Sequence, residues 1–323
     1  MKDNKDNKKE FSQNSYYDIN NHAEYRVKKL SRFFAKYEDK RDGVIRGFDV
    51  KSAPVRVVSV IIMIICILMA LFALFPVIWL ILASFKDIKE FNRDPSIFPS
   101  TFDFSRIVES WKSLNFTKYY LNSMISAIGC TVSAVLFNGL MAYGFAVLKP
   151  KGHKVIFSLV MWSLLIPSTT CIISVFRNIN LVGLNKSFVP LWLAFGANAF
   201  WVVLFKEYFE NIPKEILEAA KLDGAGVWRI FISFMLPLSK PIIMVVVIFA
   251  ITASWSDFLM PYLVLNGSGN ETVMVKLFAF KDTPVDAVSV LRATLFSIIP
   301  PIIIFIFFQK QITDSGAPGA VKG

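Results

Sequence analysis

The chain has almost none of the side chains on which metal or nucleophilic chemistry is usually built. Its 323 residues include only two histidines, His22 and His153, and three cysteines. Two imidazoles in a chain of this length argue against a His-based metal or catalytic centre. Cys66, Cys130 and Cys171 all lie inside apolar stretches, where they read as small buried hydrophobes and not as a disulfide framework or metal ligands. A Gly-x-x-x-x-Gly-Lys-Ser/Thr phosphate loop is absent, which excludes nucleotide binding by that device. Charge is scarce as well, at 18% Asp, Glu, Lys and Arg against about 25% in an ordinary soluble domain. Long stretches carry almost none of it.

What fills those stretches is apolar: 54% of the residues are hydrophobic and 31 are Phe. Six segments are long enough to cross a bilayer, which takes roughly 20 apolar residues. They span 57–85, 119–148, 155–176, 188–205, 241–265 and 289–308. The pattern predicts an all-α polytopic membrane protein with six transmembrane helices. The first segment is too long for the apolar part of a cleaved signal peptide and follows a polar leader, so it counts as a crossing. Pro76, Pro167, Pro261, Pro300 and Pro301 fall within spans and predict local kinks, which neighbouring helices tolerate by re-satisfying the freed carbonyls.

The net charge of +11 sits mostly beside the spans, which fits lipid headgroups and membrane orientation better than nucleic acid. The leader carries Lys28, Lys29, Arg32, Lys36, Lys40, Arg41, Arg46, Lys51 and Arg56. The connection 149–154 is basic, and the one before the fifth span adds Lys206, Lys214, Lys221, Arg229 and Lys240. With six crossings these regions and the C-terminal tail share one side, so both termini are predicted to be cytoplasmic. Within the leader, Met1 to Asn21 reads as disordered. Residues 24–38 repeat Val27, Leu30, Phe33, Phe34 and Tyr37 at helical spacing between basic residues. That amphipathic helix suits the headgroup layer or packing on the protein's own loops.

The connection after the fourth span is too long and too patterned to be a simple link. Pro213 suits the first turn of a helix, and Glu215 and Glu218 favour its N-terminal half. Ala219 and Ala220 make a thin face that another protein can approach, and Gly224 is placed to stop the helix in the left-handed conformation. A second helix then runs to Leu236-Pro237. The expected shape is a short helix, a glycine bend and a second helix at the membrane surface.

Glu218-Ala219-Ala220, followed by Asp223-Gly224 and closed by Leu236-Pro237, resembles the EAA loop of ABC importer permeases. The context is similar to the permeases of carbohydrate uptake systems of the maltose-transporter type. It includes Ser84-Phe85-Lys86, Tyr119-Tyr120-Leu121-Asn122-Ser123, Trp255-Ser256-Asp257-Phe258-Leu259 with Pro261, and the terminal Gly319-Ala320-Val321-Lys322-Gly323. The resemblance covers residue 54 to the C terminus, and the segment 311–318 matches it loosely. It implies a six-helix permease domain at 54–323, a coupling loop at 207–238 and a cytoplasmic tail at 309–323; the leader at 1–53, placed in the cytoplasm by its charge, is not part of the family's core pattern. It further implies that the EAA helix docks in a groove of a cytoplasmic ATPase, with Glu218 facing a basic residue there. The implied partners are a second homologous permease subunit, two ATPase copies, an extracellular solute-binding protein, carbohydrate cargo and membrane lipids. No cofactor is expected on this chain itself; ATP and Mg would be used by the partner ATPase. The implied location is the bacterial cell membrane, and residues 266–286 would approach the binding protein.

For cargo contact, Asn198, Trp201, Ser254, Trp255 and Asp257 offer aromatic faces and polar groups suited to sugars. Tryptophans in spans also serve as interfacial anchors or helix packers, and Ser and Asn bridge helices. Asp257 falls about 24 Å beyond Pro241 at about 1.5 Å per residue, in the outer part of its helix. Arg292 begins the sixth span. A permease of the same class for a peptide, amino acid or anion remains open, as does an ion-coupled carrier acting alone. The latter is weakened because ionisable residues are missing at mid-depth.

Overall fold

The computed structural model describes residues 53–280, 283 and 285–316, with side chains described from 57 to 309 within those limits. The described residues are helical and include no strand. The amphipathic helix expected at 24–38 and the last residues, 317–323, lie outside the described residues. The chain divides into two units, 1–76 and 77–323.

The described part of the first unit is the beginning of α1 (Ala53–Phe85). From Val57 to Phe75 none of its side chains is buried, and Val, Ile, Leu, Met and Phe face every direction. A helix apolar around its whole circumference needs an apolar solvent, which identifies a span and not a surface helix.

The second unit continues from the end of α1 through α2 (Ile88–Arg93) and α3 (Phe104–Ser113) to α4 (Phe116–Tyr143), which ends in a π turn at Gly144–Leu148. α4 is the central post. Around it pack α7 (Val189–Gly196), α8 (Ala199–Glu210), α11 (Lys240–Ser256) and α13 (Val273–Ala279). Its buried positions are mostly small or short polar residues, among them Ser123, Ser126, Ala127, Cys130, Ser133, Ala134 and Ala142. Small residues let helices approach closely where lipid supplies no hydrophobic drive for association. Gly129 shows the limit: a Cβ there would lie 2.1 Å from the indole nitrogen of Trp192. At Gly196 the added carbon would stand 2.8 Å from the Phe137 ring.

Three helices are individually long and apolar enough to cross: Val57–Phe85, Phe116–Leu148 and Ala287–Gln309. Three further helix pairs, each bent by more than 40°, are long and apolar enough only when taken together, giving up to six spans if each pair is one span. Of the five prolines expected to kink spans, Pro167 alone stands at a break, whereas Pro76, Pro261, Pro300 and Pro301 lie inside helices. The segment 155–176 is not one helix but α5 (His153–Ser163) and α6 (Ser168–Leu181), bent by 106°. Pro167 stands between them with extended ψ of 126°, because it has no N–H to continue the ladder and disfavours helix in the residue before it. α5 unwinds through tight bonds from the Leu164, Leu165 and Ile166 amides to carbonyls three residues back.

The segment 188–205 is α7 and α8, bent by 45°. The segment 241–265 also departs from a single helix. α11 stops at Ser256, Asp257 and Phe258 leave the helix, and α12 (Leu259–Leu265) resumes. Pro300 and Pro301, by contrast, sit inside the unbroken α14 (Ala287–Gly316).

Candidate functional site

The elbow after α8 has the expected outline. α9 (Lys214–Leu222) starts just after Pro213, which flanks the helix instead of occupying its first turn; Glu215 lies in that turn. α9 ends as the sequence predicts. Gly224 has φ of 75°, its N–H donates to Lys221 O at 3.0 Å, and the Ala225 N–H donates to Ala220 O at 3.0 Å. That bond pair is the Schellman stop, and its left-handed residue costs least as glycine. α10 (Val227–Ile230) follows, passes through a π turn at Phe231–Met235 and a last turn at Leu236–Leu238, and meets α11 at an 80° bend.

The elbow is two-faced. Leu217 and Ala220 are buried in a cluster with Phe205, Phe209, Ile230, Phe231 and Met235. The Tyr143 hydroxyl donates to Val227 O and the Tyr208 hydroxyl to Leu238 O, which braces the second arm. The opposite face carries Glu218, Ala219, Asp223 and Gly224, all exposed. Leu222 is 89% exposed, with Val227 at 50% and Trp228 at 65%. Glu218 has no ion pair among the described residues. Beside α9 a cleft of about 410 Å³ is lined by Lys149, Phe209, Glu210, Lys214, Glu218 and Lys221. Leu236 is half-buried and Pro237 exposed at the end of the second arm.

The cargo candidates do not converge on one cavity. Trp201 is buried against Phe195 in the elbow cluster, with ring centres 5.6 Å apart. Trp255 is buried among Phe116, Tyr120 and Phe296, and its indole N–H donates to Ser297 O at 2.9 Å. Both tie helices together. Asn198 caps α8, its side-chain oxygen accepting from the Trp201 N–H at 3.2 Å. Ser254 is buried within reach of the Cys130 thiol, which also faces Ser126. Asp257 lines a cleft with Ser168 and Thr169, and Trp255 lines a separate, apolar cleft with Ile251, Pro300 and Ile303. The segment 266–286 is partly seated on α4: Asn122 donates to Glu271 O, and the Ser123 hydroxyl accepts from the Val273 N–H.

Two residues whose roles the sequence did not reveal hold the frame of these sites. Asn138, fully buried in α4, serves the α7–α8 break. Its amide donates to Phe195 O at 2.9 Å and its oxygen accepts from the Asn198 N–H at 2.9 Å. Arg292, also buried, donates to Ser84 O, to the Ser110 hydroxyl and to Lys86 O at 2.8–2.9 Å. Neither had a local signal beyond being a polar residue in a span, and the partners are far away in sequence.

Residues 43–314 match the family model described as binding-protein-dependent transport system inner membrane component. The chain is 30% identical over 256 residues to the arabinooligosaccharides transport system permease protein AraQ of Bacillus subtilis, covering 77% of this chain and 90% of that protein. It is 30% identical to the trehalose/maltose transport system permease protein MalG of Thermococcus litoralis, covering 77% and 91%. With the diacetylchitobiose uptake system permease protein NgcG of Streptomyces coelicolor the identity is 27%, over 76% and 83%. The fold is similar to a chain in the crystal structure of a bacterial ABC transporter involved in the import of the acidic polysaccharide alginate. There the TM-score is 0.73 at 22% identity, covering 80% of this chain and 98% of that one.

Proposed function

The chain belongs to the family of binding-protein-dependent transport system inner membrane components, and on that premise we propose that it is the permease subunit of an oligosaccharide importer whose elbow, residues 207–238, docks on a cytoplasmic ATPase. The observation that carries the docking is the two-faced elbow. A polar helix anchored by Leu217 and Ala220 leaves Leu222, Val227 and Trp228 exposed around Glu218 and Asp223. Clustered exposed apolar side chains rimmed by charge mark an interaction surface. The basic connections favour placing the elbow and both termini in the cytoplasm.

The remaining parts follow from the family. A second homologous permease completes the membrane unit, two ATPase copies consume ATP and Mg, and an extracellular binding protein delivers cargo. This chain binds no nucleotide. The sugar assignment draws on the relatives, whose names concern arabinooligosaccharides, trehalose and maltose, and diacetylchitobiose. The elbow shares one apolar cluster with α4, α8, α10 and α11, so displacing α9 loads those helices together.

The test is to purify the complex through a tag on this chain and reconstitute it in proteoliposomes. Neutral arabinose, galactose, glucose and N-acetylglucosamine oligosaccharides are then offered beside peptides. ATP-dependent uptake of an oligosaccharide by a complex holding two ATPase copies is expected. Uptake by the single chain under an ion gradient, or uptake of peptide alone, would reject the reading. Glu218→Ala should lower the sugar moved per ATP hydrolysed in a complex of unchanged helix content.

A further inference from the structure

We propose that the cleft between α6 and α12, lined by Ser168, Thr169 and Asp257, is a sugar-hydroxyl subsite that this chain contributes to the cargo path and that disfavours acidic sugars. The inference rests on the importer reading and deepens it. Two independent interruptions of membrane helices meet there. α6 begins after the 106° break at Pro167, and α12 begins after the break at Asp257 and Phe258. Irregular backbone at membrane depth is tolerated only where it is buried in protein or lines a cavity, and broken helices are a common way of building transporter sites.

At the meeting point lies a cleft of about 320 Å³ whose polar lining is Ser168, Thr169 and Asp257, with Ile172, Ala194 and Met260 as apolar wall. That volume is at the lower end of small-molecule sites, at roughly 300–1,000 Å³, and suits one sugar unit of a longer chain.

The chemistry of the lining is mixed in the way a hydroxyl needs. Neither the Ser168 nor the Thr169 hydroxyl has a hydrogen-bond partner among the described residues, and both side chains are exposed. Each can donate and accept. Asp257 is half-buried and faces the backbone N–H groups of Phe258, Leu259 and Met260, which orient its carboxylate. It has no ion pair among the described residues. When ionised, the carboxylate is an acceptor only, so it accepts a charge-assisted hydrogen bond from a sugar hydroxyl. A uronate brought to the same place meets like charge with no cation to offset it, which selects for neutral sugars. Hydroxyls turned toward lipid would lack partners, so a water-filled cavity is the setting in which this lining is stable.

The reconstituted complex tests this with the neutral oligosaccharides above and an oligouronate as probes. Ser168→Ala combined with Thr169→Ala should cut uptake of the best neutral probe about 3- to 10-fold in a complex that still elutes intact, the size expected for one or two lost neutral hydrogen bonds. Asp257→Asn should lower neutral uptake and narrow the preference for neutral over uronate probes. Because Asp257 also orients the start of α12, the double alanine variant is the one on which the inference stands. In a Cys66→Ala, Cys171→Ala background, Thr169→Cys should react with a charged water-soluble thiol reagent, and binding protein loaded with the neutral probe should slow the reaction. Uptake by the double variant within about twofold of wild type, below the effect of one hydrogen bond, would overturn the subsite while leaving the importer reading intact. So would Thr169→Cys labelling that the sugar does not protect. If the wild-type complex moves no oligosaccharide, both readings fall together.

Discussion

Arg292→Met is the sharpest perturbation of the frame around the C-terminal end of α1. In the native chain the Arg292 guanidinium donates to Ser84 O at 2.8 Å, Lys86 O at 2.9 Å and the Ser110 hydroxyl at 2.9 Å, and all four residues are buried. Lys86 in turn donates to Asp94 O and Ser96 O, so the same arginine secures the turn that leaves α1. Methionine fills much of the volume but donates nothing, leaving two buried carbonyls and a hydroxyl unpaired. Each orphaned group costs about 1–3 kcal/mol, and relief of the guanidinium's own desolvation offsets part of the sum. The expected net loss is about 3–5 kcal/mol, or roughly 4–7 °C in the melting temperature of a chain this size. Arg292→Lys keeps the charge but loses the planar fork, and should fall about halfway. Arg106→Ala is the control. Arg106 bonds to Phe85 O at 3.1 Å and pairs with Asp103 at 3.3 Å, but both side chains are partly exposed, and such a pair is worth about 0–1 kcal/mol. Thermal unfolding of the purified complex, followed by loss of the monodisperse peak, ranks the variants. Arg292→Met melting no lower than Arg106→Ala would refute the argument.

Asn138→Leu should cost about 2–4 kcal/mol by orphaning Phe195 O and the Asn198 N–H, with the thermal midpoint as readout. A midpoint equal to wild type would mean that the α7–α8 break does not depend on this amide. Gly224→Ala places a side chain at φ of 75° and should weaken ATPase retention on co-purification by roughly 1–2 kcal/mol of helix-stop strain; undiminished retention would show that the stop does not position the docking face. The loop that follows α1 should resist acid. The Ser100 amide holds the Glu90 carboxyl below its usual value of 4.5, and Ser96 and Ser105 hold Asp94 and Asp103 below 3.8. A depressed folded pKa contributes stability that is present above the unfolded value and lost as pH falls through the folded one. Hydrogen exchange at the Ser96, Ser100 and Ser105 amides should therefore stay slow, after correction for intrinsic rate, from pH 7 to 5 and quicken only below the usual carboxylate range. Loss of protection above pH 5 would contradict it.

What the sequence revealed, and what it hid, follows from how far away each residue's partner lies. Gly224 was legible because a Schellman stop is closed entirely by neighbours within five residues, from Ala220 to Ala225. The apolar runs were legible because lipid imposes a length that no tertiary contact is needed to reveal. Pro167 announced a disturbance but not its size, since a proline leaves open whether neighbours let the helix continue. Pro300 and Pro301 make the point, lying inside an unbroken α14. The break at Asp257 and Phe258 carries no proline or glycine at the break itself, so nothing local marks it. Arg292 read only as a charge at the start of the sixth span because its acceptors lie about 200 positions earlier. Trp201 and Trp255 admitted a sugar-platform reading beside the packing one, and burial, which a sequence does not display, places both in apolar clusters.

The elbow and the Asp257 cleft are joined by one element. α11 leaves the elbow at the 80° bend, runs for 17 residues and ends one residue before Asp257. At about 1.5 Å per residue it is a rod of roughly 25 Å, so a tilt of about 10° at the elbow end displaces the other end by about 4 Å. Its packing suits that use. Val246 and Ala250 are fully buried in the elbow cluster, whereas Trp255 belongs to the cluster with Phe116 and Phe296. A helix seated in two clusters cannot shift at one end without repacking the other, because close-packed interiors switch between arrangements instead of deforming smoothly. On the proposed reading, motion imposed on α9 would reach Asp257 through a helix already held at both ends, and the break after Ser256 is where the rod's displacement would become a change of shape in the cleft.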